Sequence, residues 1–181
     1  MCIRDRTYWK GQKLFIEALN LLNKKNSLEN VKAFIIGSDQ GRVHYKDELV
    51  QLIKTYGLED KLNIAHGLNK MPVAYSIANL VLSSSIEPES FGRVSVEAQS
   101  MEKPVLASDI GGSLETVINN KTGWLFKNND VNDLSQKLEM IIKTEQKVLD
   151  LIGKQGRKNV KENYTRELMV SRTLEIYSSL V

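Results

Sequence analysis

Residues 80–108 read LVLSSSIEPESFGRVSVEAQSMEKPVLAS. LVLSSS is a short apolar run that stops in serines, GRVSVEAQSM has helical patterning, and PVLAS is a second short strand. A strand, a helix and another strand in so little chain is the crossover unit of a parallel sheet. The connection between the first strand and the helix holds Glu89, with Glu97 eight positions later inside the helix and Phe91-Gly92-Arg93 between them. An acid pair at one spacing is usually only a solvated face, so the two glutamates need the rest of the chain to explain them.

The same alternation runs outward in both directions. GQKLFIEALNLLNKK sets Leu14, Phe15, Ala18, Leu19 and Leu22 on one helical stripe, and VKAFIIG reads as a buried parallel strand ending at Gly37. YKDELVQLIKTYGL is helical with Leu49, Leu52, Ile53 and Tyr56 inward and Gly57 as its stop. KLNIAHG is strand-like, and MPVAYSIAN is a short helix with Pro72 in its first turn, where a missing N–H is harmless. GSLETVIN is a further short helix and TGWLF a last or edge strand, after which Val131 onward is helical. This order predicts an α/β fold, a doubly wound Rossmann-like parallel sheet with C-terminal helices. Right-handed crossovers put every strand's C-terminal end on one edge, where ligands bind. That edge comprises Gly37-Ser38, His66-Gly67, Ser83 to Gly92 and Ser108 to Gly112.

Composition narrows the function classes. The chain has 181 residues, 41% hydrophobic and 26% charged, which is the balance of a folded domain rather than a disordered one. A net charge of +3 is too small to argue for nucleic acid, and clusters such as GKQGRKNVKENY read as solvated helix faces. No run of about 18 apolar residues is present, so no helical span is expected and membrane contact is at most peripheral. Cys2 is the single cysteine and His44 and His66 the only histidines, so neither a disulfide nor a metal centre is expected. A cytoplasmic setting fits, reaching no further than the inner face of the membrane.

The crevice edge suggests its own ligand. Phe91, Gly92 and Arg93 stand where a loop becomes a helix, and a helix start with its unpaired N–H groups and partial positive charge is a seat for phosphate. Glu97, further into that helix, could accept hydrogen bonds from ribose hydroxyls, the role of an acid in dinucleotide-binding sheets. Glu89, on the loop, would face whatever is attached to the other side of the phosphate. The pair would bracket a diphosphate.

EPESFGRVSVEAQSMEKPVLASDIGGSLETVINNKTGWLF resembles the donor-binding half of a GT-B glycosyltransferase, of the large retaining family called family four. Glu89 and Glu97 match its E-x7-E, Gly111, Gly112 and Glu115 match its Gly-Gly-x-x-Glu, and Thr122 to Leu125 match its Thr-Gly-Trp/Leu-Leu segment. WKGQKLFIEAL, Trp9 to Leu19, resembles its Lys-Gly element. The resemblance implies that Lys10 pairs with the donor diphosphate, Glu97 holds the ribose, and Glu89 contacts the donor sugar, with Lys10 and Glu89 the catalytic pair. It places the backbone of Phe91 and Gly92 at the phosphate and Gly111, Gly112 and Glu115 in the donor site, to which Gly37 and Gly67 are added by their place on the strand-end edge. An acid at Glu115 is also favoured simply by standing in a helix's first turn. The donor would be a UDP- or GDP-sugar, a substrate rather than a cofactor, and no cofactor or metal is implied. The acceptor would be a glycan or lipid-linked, in bacterial polysaccharide biosynthesis.

The sequence departs from the family at two points. Asp5 stands where an arginine is usual, Arg6 is one step late, and MCIRDR shows no strand pattern ahead of Thr7. Residues 1–6 therefore read as an unrelated or truncated leader and 7–181 as the donor domain, with an N-terminal acceptor-binding domain missing and no transfer expected from this chain alone. SMEKPV replaces the usual Cys-Gly or small residue before proline, which alters the helix end. Two other functions share much of this pattern: a nucleotide-sugar 2-epimerase of the same fold, and a non-catalytic nucleotide-binding module. Trp9 and Trp124 read as core or hinge residues, and the Met and aromatic residues of the last helices most simply as core. A last helix that crossed back to an N-terminal domain would instead leave an apolar face exposed here.

Overall fold

A computed structural model of the chain describes residues 1–3, 5–38, 41, 43–65 and 71–180. Its strands are β1 (Cys2–Ile3), β2 (Ala33–Ile36), β3 (Leu62–Ala65), β4 (Val81–Ser83), β5 (Val105–Ser108) and β6 (Gly123–Phe126). They form one sheet in the order β3-β2-β1-β4-β5-β6, and every pairing is parallel. This is the doubly wound order in which the winding reverses between β1 and β4, and ligands of such sheets bind outside the strands' C-terminal ends at that reversal.

The helices are α1 (Gln12–Lys24), α2 (Val43–Thr55), α3 (Met71–Ile77), α4 (Arg93–Ser100), α5 (Ser113–Thr116), α6 (Val131–Ile142), α7 (Gln146–Asn163) and α8 (Arg166–Ser179). They cover both faces of the sheet because strand side chains alternate. Ile35, Leu82, Leu106, Trp124 and Phe126 join α1, α2 and α6 in one core, whereas Ile36, Val81, Val105 and Ala107 meet α3 and α4 in the other. Leu82, Leu106, Leu49 and Leu134 are at most 1% exposed. Each such burial contributes about 1.5–3 kcal/mol. The strands are apolar on both faces, as a sheet covered on both sides requires.

The expected absence of a strand ahead of Thr7 is corrected. Cys2 and Ile3 pair with Ile35 and Ile36 of β2 on one side, and Cys2 pairs with Leu82 of β4 on the other. Met1–Arg6, read as a leader lacking a strand, supplies the central one. Two residues are too few to show any alternation, so no pattern could reveal them. The Arg6 side chain is fully buried, and its Nη1 donates to the carbonyls of Gly37 (2.8 Å) and Ala65 (3.1 Å), tying the ends of β2 and β3 together.

The last helix departs from a core role. α8 buries none of its residues, and Met169, Leu174, Ile176 and Tyr177 are each about 60% exposed. Reading the Met and aromatic residues of the last helices as core is therefore corrected for Met169 and Tyr177. Trp124 is buried as expected, while Trp9 is 38% exposed.

Candidate functional site

The chain leaves β1 through a single 3-10 turn, Tyr8–Lys10, that ends in Gly11 at φ +67°. A side chain at Gly11 would run into the carbonyl oxygen of Ser84, so only glycine allows this turn to press against the end of β4. Ser84 Oγ donates to the Lys10 carbonyl at 3.0 Å, and the Ile86 amide donates to the Trp9 carbonyl at 2.9 Å. The turn after β1 and the loop after β4 are thus stitched together at the point where the winding reverses.

Lys10 and Glu89 meet in this seam. Lys10 Nζ lies 2.7 Å from Glu89 Oε1, with the two side chains 6% and 13% exposed. The ammonium also stands 3.8 Å from the centre of the Trp9 ring. Ser85 Oγ donates to the same Glu89 oxygen. A carboxylate held by an ammonium and a hydroxyl, mostly out of water, has a defined orientation before any ligand arrives.

Gly111 and Gly112 build the platform under Glu89. A Cβ on Gly111 would stand 2.6 Å from the Glu89 carbonyl oxygen, and one on Gly112 2.5 Å from the Phe91 carbonyl carbon. The Gly112 amide donates to the Glu89 carbonyl at 2.7 Å. The loop 86–92 is further fixed by Asn128, whose Nδ2 donates to the Ile86 carbonyl (3.2 Å) and whose Oδ1 accepts from Ser108 Oγ (2.8 Å).

Glu97 lies in the second turn of α4. Tyr75 of α3 donates its hydroxyl to Glu97 Oε2 at 2.8 Å, and Arg93 Nη2 reaches Oε1 at 3.2 Å. The carboxylate remains 39% exposed. Gly92 is the residue before α4, at φ +73° and with no side chain to cap the helix, so the first-turn amides are left to other partners. The Phe91 ring is exposed and packs edge-on to Tyr164 at 5.7 Å. The Tyr164 hydroxyl donates to the Glu115 carbonyl at 2.7 Å. Burial, then the nearby Glu115 charge, hold the Tyr164 phenol above its ordinary pKa, with Arg172 opposing.

Of the residues expected at the site, Lys10 and Glu89 are in direct contact, and Gly111 and Gly112 lie against the Glu89–Phe91 backbone. Glu97 stands in the second turn of α4, and the Glu115 side chain is exposed in α5. Gly37 is buried at the end of β2 with its carbonyl taken by Arg6. Gly67, with His66, lies outside the described residues. Sequence reasoning missed Tyr75 and Asn128, and took Ser85 only as one of the serines in which a strand stops. No spacing could link Tyr75 to Glu97, because the bond depends on how α3 and α4 sit on the sheet. Among the described residues no cluster of His, Cys, Asp and Glu could hold a metal, and no helix is long and apolar enough to cross a membrane. A separate cavity of about 460 Å³ lies at the opposite edge of the sheet, between α1, α6, α7 and the starts of β2 and β4.

A doubly wound sheet with a fixed acid–base pair at its winding reversal defines a Rossmann-class ligand-binding domain. The chain belongs to the family described as glycosyl transferases group 1, whose sequence model matches residues 2–159. It is 24% identical to the capsular polysaccharide biosynthesis glycosyltransferase CapM of Staphylococcus aureus over 95% of this chain and 43% of that protein. The crystal structure of Anabaena HepE in complex with UDP and glucose matches with a TM-score of 0.87 and 26% identity, over 98% of this chain and 48% of that one. A crystal structure of the C-terminal domain of the group 1 glycosyl transferase LpcC from Francisella tularensis matches at TM-score 0.79 and 27% identity, covering 91% of this chain and 85% of that one. The chain thus spans less than half of CapM and HepE, and it corresponds to the C-terminal domain of a GT-B glycosyltransferase.

Proposed function

We propose that this chain is the donor-binding half of a retaining glycosyltransferase, which passes a sugar from a nucleotide-sugar to a glycan or lipid-linked acceptor. The observation that carries the reading is the preset Lys10–Glu89 pair at the sheet's winding reversal. HepE, crystallised with UDP and glucose, supplies the analogy for the ligand class. In this reading the Lys10 ammonium faces the donor diphosphate and offsets the charge that develops on it as the sugar C1–O bond breaks. An acceptor hydroxyl forms the new C1–O bond, and its proton passes to the departing nucleoside diphosphate. Electrostatics fixed in advance act where the charge appears, which lowers the barrier without reorganisation.

Glu89 has two tasks here. It orients Lys10 and it offers its remaining lone pairs to sugar hydroxyls. The amides at the start of α4, beside Phe91 and Gly92, would receive a phosphate oxygen. Glu97 would accept from the ribose hydroxyls. The acceptor site, and with it transfer, would need a second domain beyond these residues. Gly67 remains a proposed contact on the strength of its place after the KLNIAHG strand pattern alone.

The test is calorimetric titration of UDP, GDP and ADP, then their sugar conjugates, into the chain and into Glu97→Ala. Loss of a charged acceptor for ribose should weaken binding by about 1.5–3 kcal/mol. A nucleotide that binds equally well to both proteins would remove Glu97 from the site.

A further inference from the structure

Glu97 is an unusual choice for a precise acceptor. It is a long side chain on the exposed flank of a helix, 39% accessible, and ordering such a side chain costs rotamer entropy. Its two oxygens nevertheless have different neighbours. Oε1 is reached by Arg93, four positions before it on the same helix, and Arg93 is itself 73% exposed. Exposed pairs of this type are weak and screened by salt. Oε2 accepts from the hydroxyl of Tyr75, which comes from a different helix and whose side chain is only 2% exposed.

Tyr75 is fixed at its other end by the core. It packs with Ala74, Ala78, Val94 and Ala98 between α3, α4 and the sheet. An aromatic ring held in this way has almost no freedom to move its hydroxyl. A neutral hydroxyl donor also leaves the carboxylate's charge uncancelled, whereas a buried cation would quench it. A carboxylate has about four lone-pair positions, so one bond from Tyr75 and one from Arg93 leave room for two more.

We infer that Tyr75 is a positioning residue: its buried hydroxyl holds Glu97 in the rotamer that accepts the vicinal hydroxyls of the donor's ribose. The inference rests on the proposed role of Glu97 as the ribose acceptor. Arg93 is not the positioning group, because its own side chain is largely exposed and it stands at the first residue of α4.

Tyr75→Phe removes one oxygen and keeps the ring in the core. Affinities for UDP, GDP and ADP and for their 2′,3′-dideoxy counterparts would be measured on the chain, Tyr75→Phe and Glu97→Ala. Tyr75→Phe should lose about three- to tenfold in affinity for the ribonucleotides, the scale of one hydrogen bond, with little change for the dideoxy forms. Its thermal unfolding should follow wild type closely, which a merely structural role would not allow alongside a ribose-specific loss. Equal weakening of both ligand series, or no weakening while Glu97→Ala loses ribonucleotide binding, would overturn the positioning role alone. Ribonucleotide binding unchanged in Glu97→Ala would overturn the ribose reading itself, and the inference with it.

Discussion

Lys10 Nζ and Glu89 Oε1 are 2.7 Å apart although they lie on opposite sides of the sheet's winding reversal, one after β1 and the other after β4. Removing one partner of a mostly buried ion pair takes a countercharge away from the other, at a cost of about 3 kcal/mol. Lys10→Met should therefore destabilise the chain by about that amount in urea unfolding, and Lys10→Met/Glu89→Gln should recover part of it. Additive effects in the two single variants would mean that the pair is not coupled.

Gly112→Ala tests the platform beneath the loop. The added Cβ would stand 2.5 Å from Phe91 backbone, and neither strand end nor loop can give way freely. Overpacking of this kind costs about 1–3 kcal/mol. The expected result is a lowered melting temperature together with weaker nucleotide binding, because the displaced segment carries Glu89. A variant that melts earlier but binds normally would separate the glycine from the site.

Glu102 sits at φ +58°, at the end of α4 where the family's pattern has a small residue or glycine. For a residue with a Cβ that conformation costs about 1–2 kcal/mol. Glycine there gives back part of the gain through chain entropy, and the exposed Arg157 pair at 3.1 Å is worth little. Glu102→Gly should thus stabilise by about 0.5 kcal/mol, and the β-branched Glu102→Val should destabilise by about 1 kcal/mol. Guanidinium unfolding of the two variants in parallel would check both signs.

Acid stability should carry a contribution from Asp130. Its carboxylate accepts from the amides of Asn132 and Asp133 at 3.0 Å each, and caps α6. The Asp133 amide bond, above all, holds its pKa below the ordinary carboxylate value, with Asn132 and Lys127 adding to it against some desolvation. A depressed folded-state pKa stabilises above the unfolded-state value and loses that contribution as pH falls through the folded one. Melting curves should show Asp130→Ala losing less stability than wild type as pH falls from about 5, through the unfolded carboxylate range and below it. Identical acid profiles would exclude the cap as their cause.

The order of strands and helices was legible because each element ends in a residue with a physical reason to stop it. Gly37 closes β2, Gly57 follows α2 and the serines end β4. The E-x7-E spacing and the Gly-Gly motif pointed to the loops after β4 and β5, and these meet because loops after parallel strands share one edge. Three features were beyond such reading. β1 has two residues and shows no period. Tyr75 reaches Glu97 through the packing of two helices, which spacing within either cannot express. α8 carries Met169, Leu174 and Tyr177 in a pattern that suits a core equally well, and only the fold shows that nothing among the described residues covers it.

The central claim is that a nucleotide-sugar donor binds where β1 and β4 end. Amide chemical-shift mapping of the isotope-labelled chain during titration with UDP, GDP and ADP tests it most directly. The account predicts perturbations at Lys10, Gly11, Ser85 and Glu89 to Glu97 for the nucleotide that binds. Perturbations confined to Phe15, Leu19, Leu138 and Ile141, around the cavity at the opposite edge of the sheet, would contradict it.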